Sequence, residues 1–445
     1  MASAEQERGS STPSLARTIG PFQLALYALG SMLGSGIYGL IGKAAGQAGT
    51  AVWLSFIVAL VAALLTALSY ASLGSRHPRA GGAAYATQRA FRTPILSFTV
   101  GLALVCSGLT SVATQSKIFA ANLAALTGIE AIPPSLIAVG FVLILTGIVF
   151  RGIRESMWVN VLCTLIEATG LLIVIAAGSA YWGSVNYFEI PPEKADIGLA
   201  VVVLQASVLT FFAFIGFEDA INVGEECRDP QTTIPIGLMA ATAMAAVLYI
   251  ATAVTAVSVV PPAELSAAAS PLTEVMSRAA PQFPAWVMTC IALFSVGNTA
   301  LVNYITGSRL IYGMSAQGLL HDKLGEVHEE RRTPHYAILA LLVVLLPLVL
   351  IGSISDLAGA TVLLLMLVFI VVNAALVVLI RRPGEEKGKF EVPQILPLLG
   401  AGVCFGLLIT RLMSSDWVAP ALAGALLAGI LAIYAIQRPQ VQDID

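Results

Sequence analysis

The chain has 445 residues, of which 57% are hydrophobic and only 11% charged, and its formal net charge is −3. A soluble domain carries about 25% charged residues to cover its surface, so a chain this long and this poor in charge has no material for a wetted exterior. Its apolar residues fall in runs of roughly 20 between short polar or Pro/Gly-rich breaks, the length a helix needs to cross about 30 Å of hydrocarbon; an all-α polytopic membrane protein is expected.

Residues 1–20 are polar and Ser-rich, without the apolar core of a signal peptide, and are read as a cytoplasmic tail. Twelve spans follow, near 21–46, 50–74, 94–123, 134–150, 157–182, 199–224, 235–260, 285–313, 336–352, 357–380, 396–412 and 418–437. Spans one to ten make a core over 21–380. A loop over 381–395 leads to the last two spans over 396–437, and 438–445 is a second tail. With the N-terminus inside, 18 of the 23 Lys and Arg fall in cytoplasmic segments, Arg309 among them; Lys43, Lys117, Lys194, Arg278 and Arg411 do not. That bias puts both termini in the cytoplasm and predicts an integral protein of the cytoplasmic (plasma) membrane. The longest loops lie around 183–198, 261–284 and 314–335, with no domain outside the bilayer. The five cysteines form no CxxC and read as small packing residues.

Two spans carry unusual glycine. The first contains Gly30-Ser31-Met32-Leu33-Gly34-Ser35-Gly36-Ile37-Tyr38-Gly39, the sixth Phe211-Phe212-Ala213-Phe214-Ile215-Gly216-Phe217-Glu218-Asp219. Glycine lets the backbone leave α geometry. At membrane depth, non-helical backbone is tolerated only where it is buried in protein or lines a cavity. A broken helix offers N–H groups to a carboxylate and C=O groups to an ammonium or metal cation. Two facing breaks therefore suit a zwitterion. Read more plainly, the glycines permit close helix packing.

These motifs resemble the amino acid–polyamine–organocation superfamily. The likeness is carried by Gly34 to Tyr38, by Pro78-Arg79-Ala80-Gly81-Gly82-Ala83-Ala84-Tyr85, and by Phe214 to Glu218 with Glu225-Glu226-Cys227-Arg228-Asp229-Pro230 and Ile234-Pro235. Ser308-Arg309-Leu310-Ile311-Tyr312-Gly313-Met314 and Thr333-Pro334 complete it. The resemblance runs from about residue 17 to 437 and specifies no substrate. It implies a five-plus-five inverted-repeat transporter fold with broken helices one and six, and alternating access. It further implies a substrate carboxylate on the N–H groups of Ser35, Gly36 and Ile37 beside Gly34, and an amine on the carbonyls of Met32, Phe212 and Ile215. Phe212, Phe214 and Phe217 would wall the side chain, or simply pack.

An ionisable group in a span is costly and so a functional candidate. Glu167 lies mid-way along the fifth span, where many superfamily carriers have a lysine. An acid here suggests a protonatable group, or a cation site built with the carbonyls of Gly30 and Leu33 and with Ser295 and Thr299. Those two share a face of the eighth span with Asn303. Glu218 resembles a proton-sensing or gating acid, whereas Asp219 points about 100° away. Glu225 and Glu226 read as salt-bridge partners for loop arginines, and Lys43 as a vestibule or snorkelling residue.

A membrane enzyme is disfavoured, because His77, His321, His328 and His335 all lie in loops and no His/carboxylate cluster forms at membrane depth. The sequence has no P-loop for an ATP-driven pump and no filter-like repeat for a channel. A small amino acid, with an amine or polyamine as the alternative, is the expected substrate. No cofactor is expected beyond a coupling H+ or Na+, no nucleic acid, and no partner beyond membrane lipid and a homodimer.

Overall fold

The computed structural model describes residues 17–79, 82–128, 132–268, 270–351, 354–412, 417–437 and 439. Ala80 and Gly81 of the second motif lie outside them. Among the described residues the chain is helical, apart from a single parallel bridge between Ile19 and Cys227.

The helices are α1 (Pro21–Met32), α2 (Ser35–Ala48), α3 (Val52–Arg76), α4 (Gly82–Phe91), α5 (Pro94–Thr127), α6 (Pro134–Arg151), α7 (Ile153–Gly178), α8 (Leu199–Phe211) and α9 (Asp219–Asn222). They continue as α10 (Pro230–Val259), α11 (Pro262–Ala267), α12 (Pro271–Ala279), α13 (Ala285–Ala316), α14 (His335–Ile351), α15 (Ile354–Arg381), α16 (Ile395–Leu412) and α17 (Val418–Gln437). Proline opens α1, α5, α6, α10, α11 and α12, where its missing N–H costs nothing and its fixed φ suits the first turn. Gly128, at φ +66°, ends α5 in the left-handed conformation.

Nine helical runs among the described residues are long and apolar enough to cross a membrane, and His335–Leu350 and Ile395–Thr410 are shorter apolar helices. The nine differ from the twelve expected spans for identifiable reasons. The first span is broken, which leaves α1 too short, and 36–76 runs on as one stretch although Gly49 ends α2 at φ +65°. The segments read as loops are also partly helical. α4 lies between the first two long hairpin helices, and α11 and α12 fill 261–284.

α5 packs along α13 and α15, α3 along α10 and α8, and α1 along α10 and α7. The long helices thus enclose α1, α2 and α8, and the two glycine-rich breaks meet in the middle of the bundle.

Candidate functional site

α1 stops at Met32, leaves helical geometry at Leu33 and Gly34, and resumes as α2 at Ser35. No side chain caps the start of α2, so its first N–H groups, those of Ser35, Gly36 and Ile37, lack intrahelical partners. The second break is longer. α8 tightens into a 3-10 turn over Phe212–Phe214, the chain turns through Ile215, Gly216, Phe217 and Glu218, and α9 follows.

Each break presses a glycine onto the main chain of the other. A Cβ on Gly36 would stand 2.6 Å from Cα of Ala213, and one on Gly216, itself at φ +123°, would stand 2.7 Å from the carbonyl carbon of Ser31. Only glycine fits either contact. The breaks are held together by Tyr249 of α10, whose hydroxyl reaches the carbonyls of Met32 at 2.6 Å and Ala213 at 2.8 Å. A phenol has one proton to share between these two acceptors, so Tyr249 straddles both breaks. Nothing in its local sequence marks it.

Around this crossing is a cavity of about 30 Å³ lined by Ser31, Met32, Gly34, Gly36, Ser107, Ser111, Gln115, Phe212, Ile215, Gly216, Thr299, Asn303, Thr361 and Leu365. A vestibule of about 380 Å³, with Tyr38, Lys43, Asn122 and Met288 among its walls, lies beside it. Phe212 lines both and forms the partition. Of the residues expected in a substrate site, Met32, Gly34, Gly36, Phe212 and Ile215 come together here. Ile37 is buried beside them. For Ser35 the backbone position at the head of α2 is described.

Phe214, Phe217 and Glu218 line neither cavity, which corrects the expectation of an aromatic cage. Phe214 packs edge-on against Phe56 and Tyr249, and Phe217 stacks on Phe369 with Tyr70 at its edge. Oε2 of Glu218 accepts a 2.8 Å hydrogen bond from the N–H of Gly216 and so braces its own turn. Asp219 accepts from the Ser31 hydroxyl at 2.5 Å, which fastens α9 to α1. The reason is geometric: the 3-10 turn over Phe212–Phe214 rotates successive side chains by more than an α-helix does, and Phe217 follows the reversal at Gly216, φ +123°, so only Phe212 of the three rings lines the cavity.

The expected coupling residues separate into two layers. Ser295 donates to the carbonyl of Leu33 at 3.2 Å and Thr299 to that of Gly30 at 3.4 Å, so α13 already engages the carbonyls proposed as cation ligands. Glu167 shares a face of α7 with Asn160 and Thr164 at i, i+4 and i+7 spacing. Between them and α13 runs a chain of hydrogen bonds. Asn160 donates to Asn298 at 2.8 Å, Asn298 to Thr164 at 2.9 Å, and Thr164 to the carbonyl of Leu26 at 3.2 Å. Gly30 abuts Thr164, Asn298 and Asn160 rather than Glu167. The carboxyl of Glu167 is wholly buried and neither oxygen makes a hydrogen bond of good geometry, although Asn298 stands close by. Sequence spacing missed the two asparagines, which fill the gap between the layers.

The opposite end of the crossing is sealed. Glu226 and Arg309 form an ion pair at 2.9 Å with side chains 0% and 1% exposed. Arg309 therefore sits inside α13 and not in a loop. Thr18 and Ile19 donate main-chain hydrogen bonds to the carbonyl of Glu226, and Arg228 donates to that of Ile19, closing a clasp below the pair. Further out, Glu385 accepts from Arg89 at 2.6 Å and lies 3.0 Å from Nε2 of His77, while Arg76 pairs with Glu391. No group of three His, Cys, Asp or Glu suited to a metal ion occurs among the described residues.

The sequence matches the family described as Amino acid permease over residues 19–435. It is 30% identical to the methylthioribose transporter of Bacillus subtilis (strain 168), covering 92% of this chain and 93% of that one. It is 27% identical to the branched-chain amino acid permease BcaP of the same organism, covering 92% and 90%. To cationic amino acid transporter 4 of Mus musculus it is 27% identical, over 77% of this chain and 57% of the relative.

Proposed function

This chain belongs to the amino acid permease family, and on that premise we propose that it is a secondary transporter moving a small amino acid across the cytoplasmic membrane by alternating access. The observation that carries the reading is the crossing of two broken helices. It sets the uncapped N–H end of α2 and the carbonyl ends of both breaks around one buried cavity, the layout a zwitterion needs. Twelve spans in a five-plus-five inverted repeat follow from the same reading. In its support, helix contacts recur when each helix is exchanged for its counterpart five spans on. α1 against α10 is matched by α8 against α3, and α5 against α15 by α13 against α7. Arg76, Arg79, Arg89 and Arg382 gather at one end, which favours that end, with both termini, as cytoplasmic.

Coupling belongs to the proposal as well. Glu167, buried and without a well-formed hydrogen bond, is the group we expect to carry a proton. A sodium ion bound at the carbonyls of Gly30 and Leu33 is the alternative.

The reading is tested by counterflow in proteoliposomes. Labelled amino acid should enter saturably and faster when unlabelled amino acid is trapped inside. Linear, unsaturable entry would indicate a pore and end the proposal. Glu167→Gln should still exchange but no longer concentrate substrate under an imposed pH gradient. Uphill uptake unchanged in that variant would remove Glu167 from coupling.

A further inference from the structure

We propose that the substrate is an α-amino acid bearing a short, uncharged, hydroxyl-bearing side chain, serine or threonine by chemistry, and that Ser111 of α5 is the residue that reads the hydroxyl. The inference rests on the reading above and narrows it.

The cavity has two kinds of wall. One is the main chain of the breaks at Gly34, Gly36 and Gly216. The other comes from α5, α13 and α15, each contributing residues four apart and therefore on one face: Ser107, Ser111 and Gln115; Thr299 and Asn303; Thr361 and Leu365. All but Leu365 carry a hydroxyl or an amide. No ionisable side chain lines the cavity among its described walls. A cationic or acidic substrate side chain would be buried there without a counter-charge, which is strongly unfavourable. A branched aliphatic side chain would seal the Ser111 hydroxyl in without any partner, at about 1–3 kcal/mol for a group left unsatisfied.

Ser111 stands apart from its neighbours. A buried serine or threonine in a helix ordinarily donates back to the carbonyl four residues earlier. Thr110, Thr114, Ser116 and Thr361 all do so, at 2.7–3.0 Å. Ser111 is only 9% exposed, lines the cavity, and makes no hydrogen bond among the described residues. One turn earlier, Ser107 makes only a long 3.4 Å contact to the carbonyl of Thr361. The central cavity is far smaller than the vestibule, about 30 against about 380 Å³, so the smallest side chains demand the least movement of its walls.

The test uses the full-length purified protein, with thermal shift and proteoliposome competition against L-serine, L-threonine, L-alanine, L-leucine, L-lysine and L-glutamate. Serine and threonine should compete at least tenfold better than leucine, lysine or glutamate. Ser111→Ala should weaken serine about fivefold to tenfold while alanine holds or improves. Size-exclusion chromatography and the thermal shift of the unliganded variant report that it folds, and Ser111→Gly serves as a second variant. A preference for leucine or lysine would overturn this inference and leave the transporter reading standing, as would equal losses for serine and alanine in both variants. No response to any α-amino acid would overturn both.

Discussion

The two sides of the helix crossing are built differently. Towards the vestibule, the central cavity is separated from a space of about 380 Å³ by one aromatic ring, Phe212, which lines both. Towards the basic end there is also a large groove, of about 1030 Å³, lined by Arg17, Arg76, His77, Arg79 and Arg89 among others, yet it shares no lining residue with the central cavity. Between them lie the Ser31–Asp219 bond, the Glu226–Arg309 pair and the clasp of residues 18 and 19 on 226–228. One side is closed by a side chain that can rotate, the other by layers of polar contacts. The structure is therefore an occluded or vestibule-facing conformer, in which reaching the other side requires separating buried charges.

Both sides depend on rigid breaks at the crossing, and Gly36→Val attacks these first. The new side chain would collide with Ala213, a main-chain contact that cannot rotate away. Binding and uptake should fall by about 5-fold to 100-fold with the protein still inserted, since overpacking costs about 1–3 kcal/mol. Size-exclusion and scintillation-proximity binding together would check it. Unchanged affinity would take the first break out of the site.

The seal is broken by removing one charge. Glu226→Gln leaves Arg309 buried without its partner, a loss of roughly 3–5 kcal/mol for such pairs. Uptake should drop about tenfold or more, and cysteine-labelling from the basic end should rise. Combining Glu226→Gln with Arg309→Met should restore part of the stability, because a neutral pair leaves no uncompensated charge. If neither labelling nor uptake moves, the pair is packing and not a seal.

The partition gives a smaller effect. Phe212→Ala should merge vestibule and cavity and change the ranking of substrates by about tenfold, the scale on which a hydrophobic wall discriminates. Competition curves for small and bulky amino acids would read it. Equal losses for all of them would mark the ring as a packing residue.

How much of this was legible beforehand depends on range. The glycine cluster around Gly34 and Gly36 and the Gly216 that precedes two acids announce breaks locally, whereas scattered glycines such as Gly140 and Gly147 sit in an unbroken helix, and the crossing is where the clustered positions lead. Which ring faces inward was not legible. Phe212 and Phe214 differ only in where the 3-10 turn sets them, and Phe217 follows the reversal at Gly216. Tyr249, Asn160 and Asn298 were invisible for another reason. Each sits in an ordinary helix, and its role is defined by a partner more than 100 residues away, such as Met32 for Tyr249. Glu226 was expected to pair with a loop arginine, but its partner Arg309 is buried in α13, since long-range pairing outweighed its place near a span end.

The smallest effect is expected from the outermost layer on the basic end, the clamp at Glu385. Its carboxyl accepts from Arg89 and lies 3.0 Å from His77, while Arg382 donates to the carbonyls of Arg89 and Ala90, tying the loop after α15 to α4. Burial pushes the His77 imidazole below its ordinary range; Glu385 pulls the other way, and Arg89 and Arg76 add to the lowering. Burial alone would raise Glu385, but Arg89 and His77 outweigh it and hold the carboxyl below the usual carboxylate range. The signs agree. A histidine whose folded value is lowered contributes stability above its unfolded value, near 6.5, and loses it as pH falls through that value, because the folded state resists the proton the unfolded state takes. A carboxylate held low contributes above its unfolded value, near 4.3, and loses that contribution only in stronger acid. Between pH 7.5 and 5.5 the histidine should dominate, lowering Tm by roughly 1–2 °C, a fraction of a kcal/mol in a chain of this size. His77→Gln should flatten that slope, whereas Glu385→Gln should lower Tm throughout by unpairing Arg89. Parallel Tm–pH curves for wild type and His77→Gln would show that His77 does not titrate there, and would remove the pH sensitivity expected of this end.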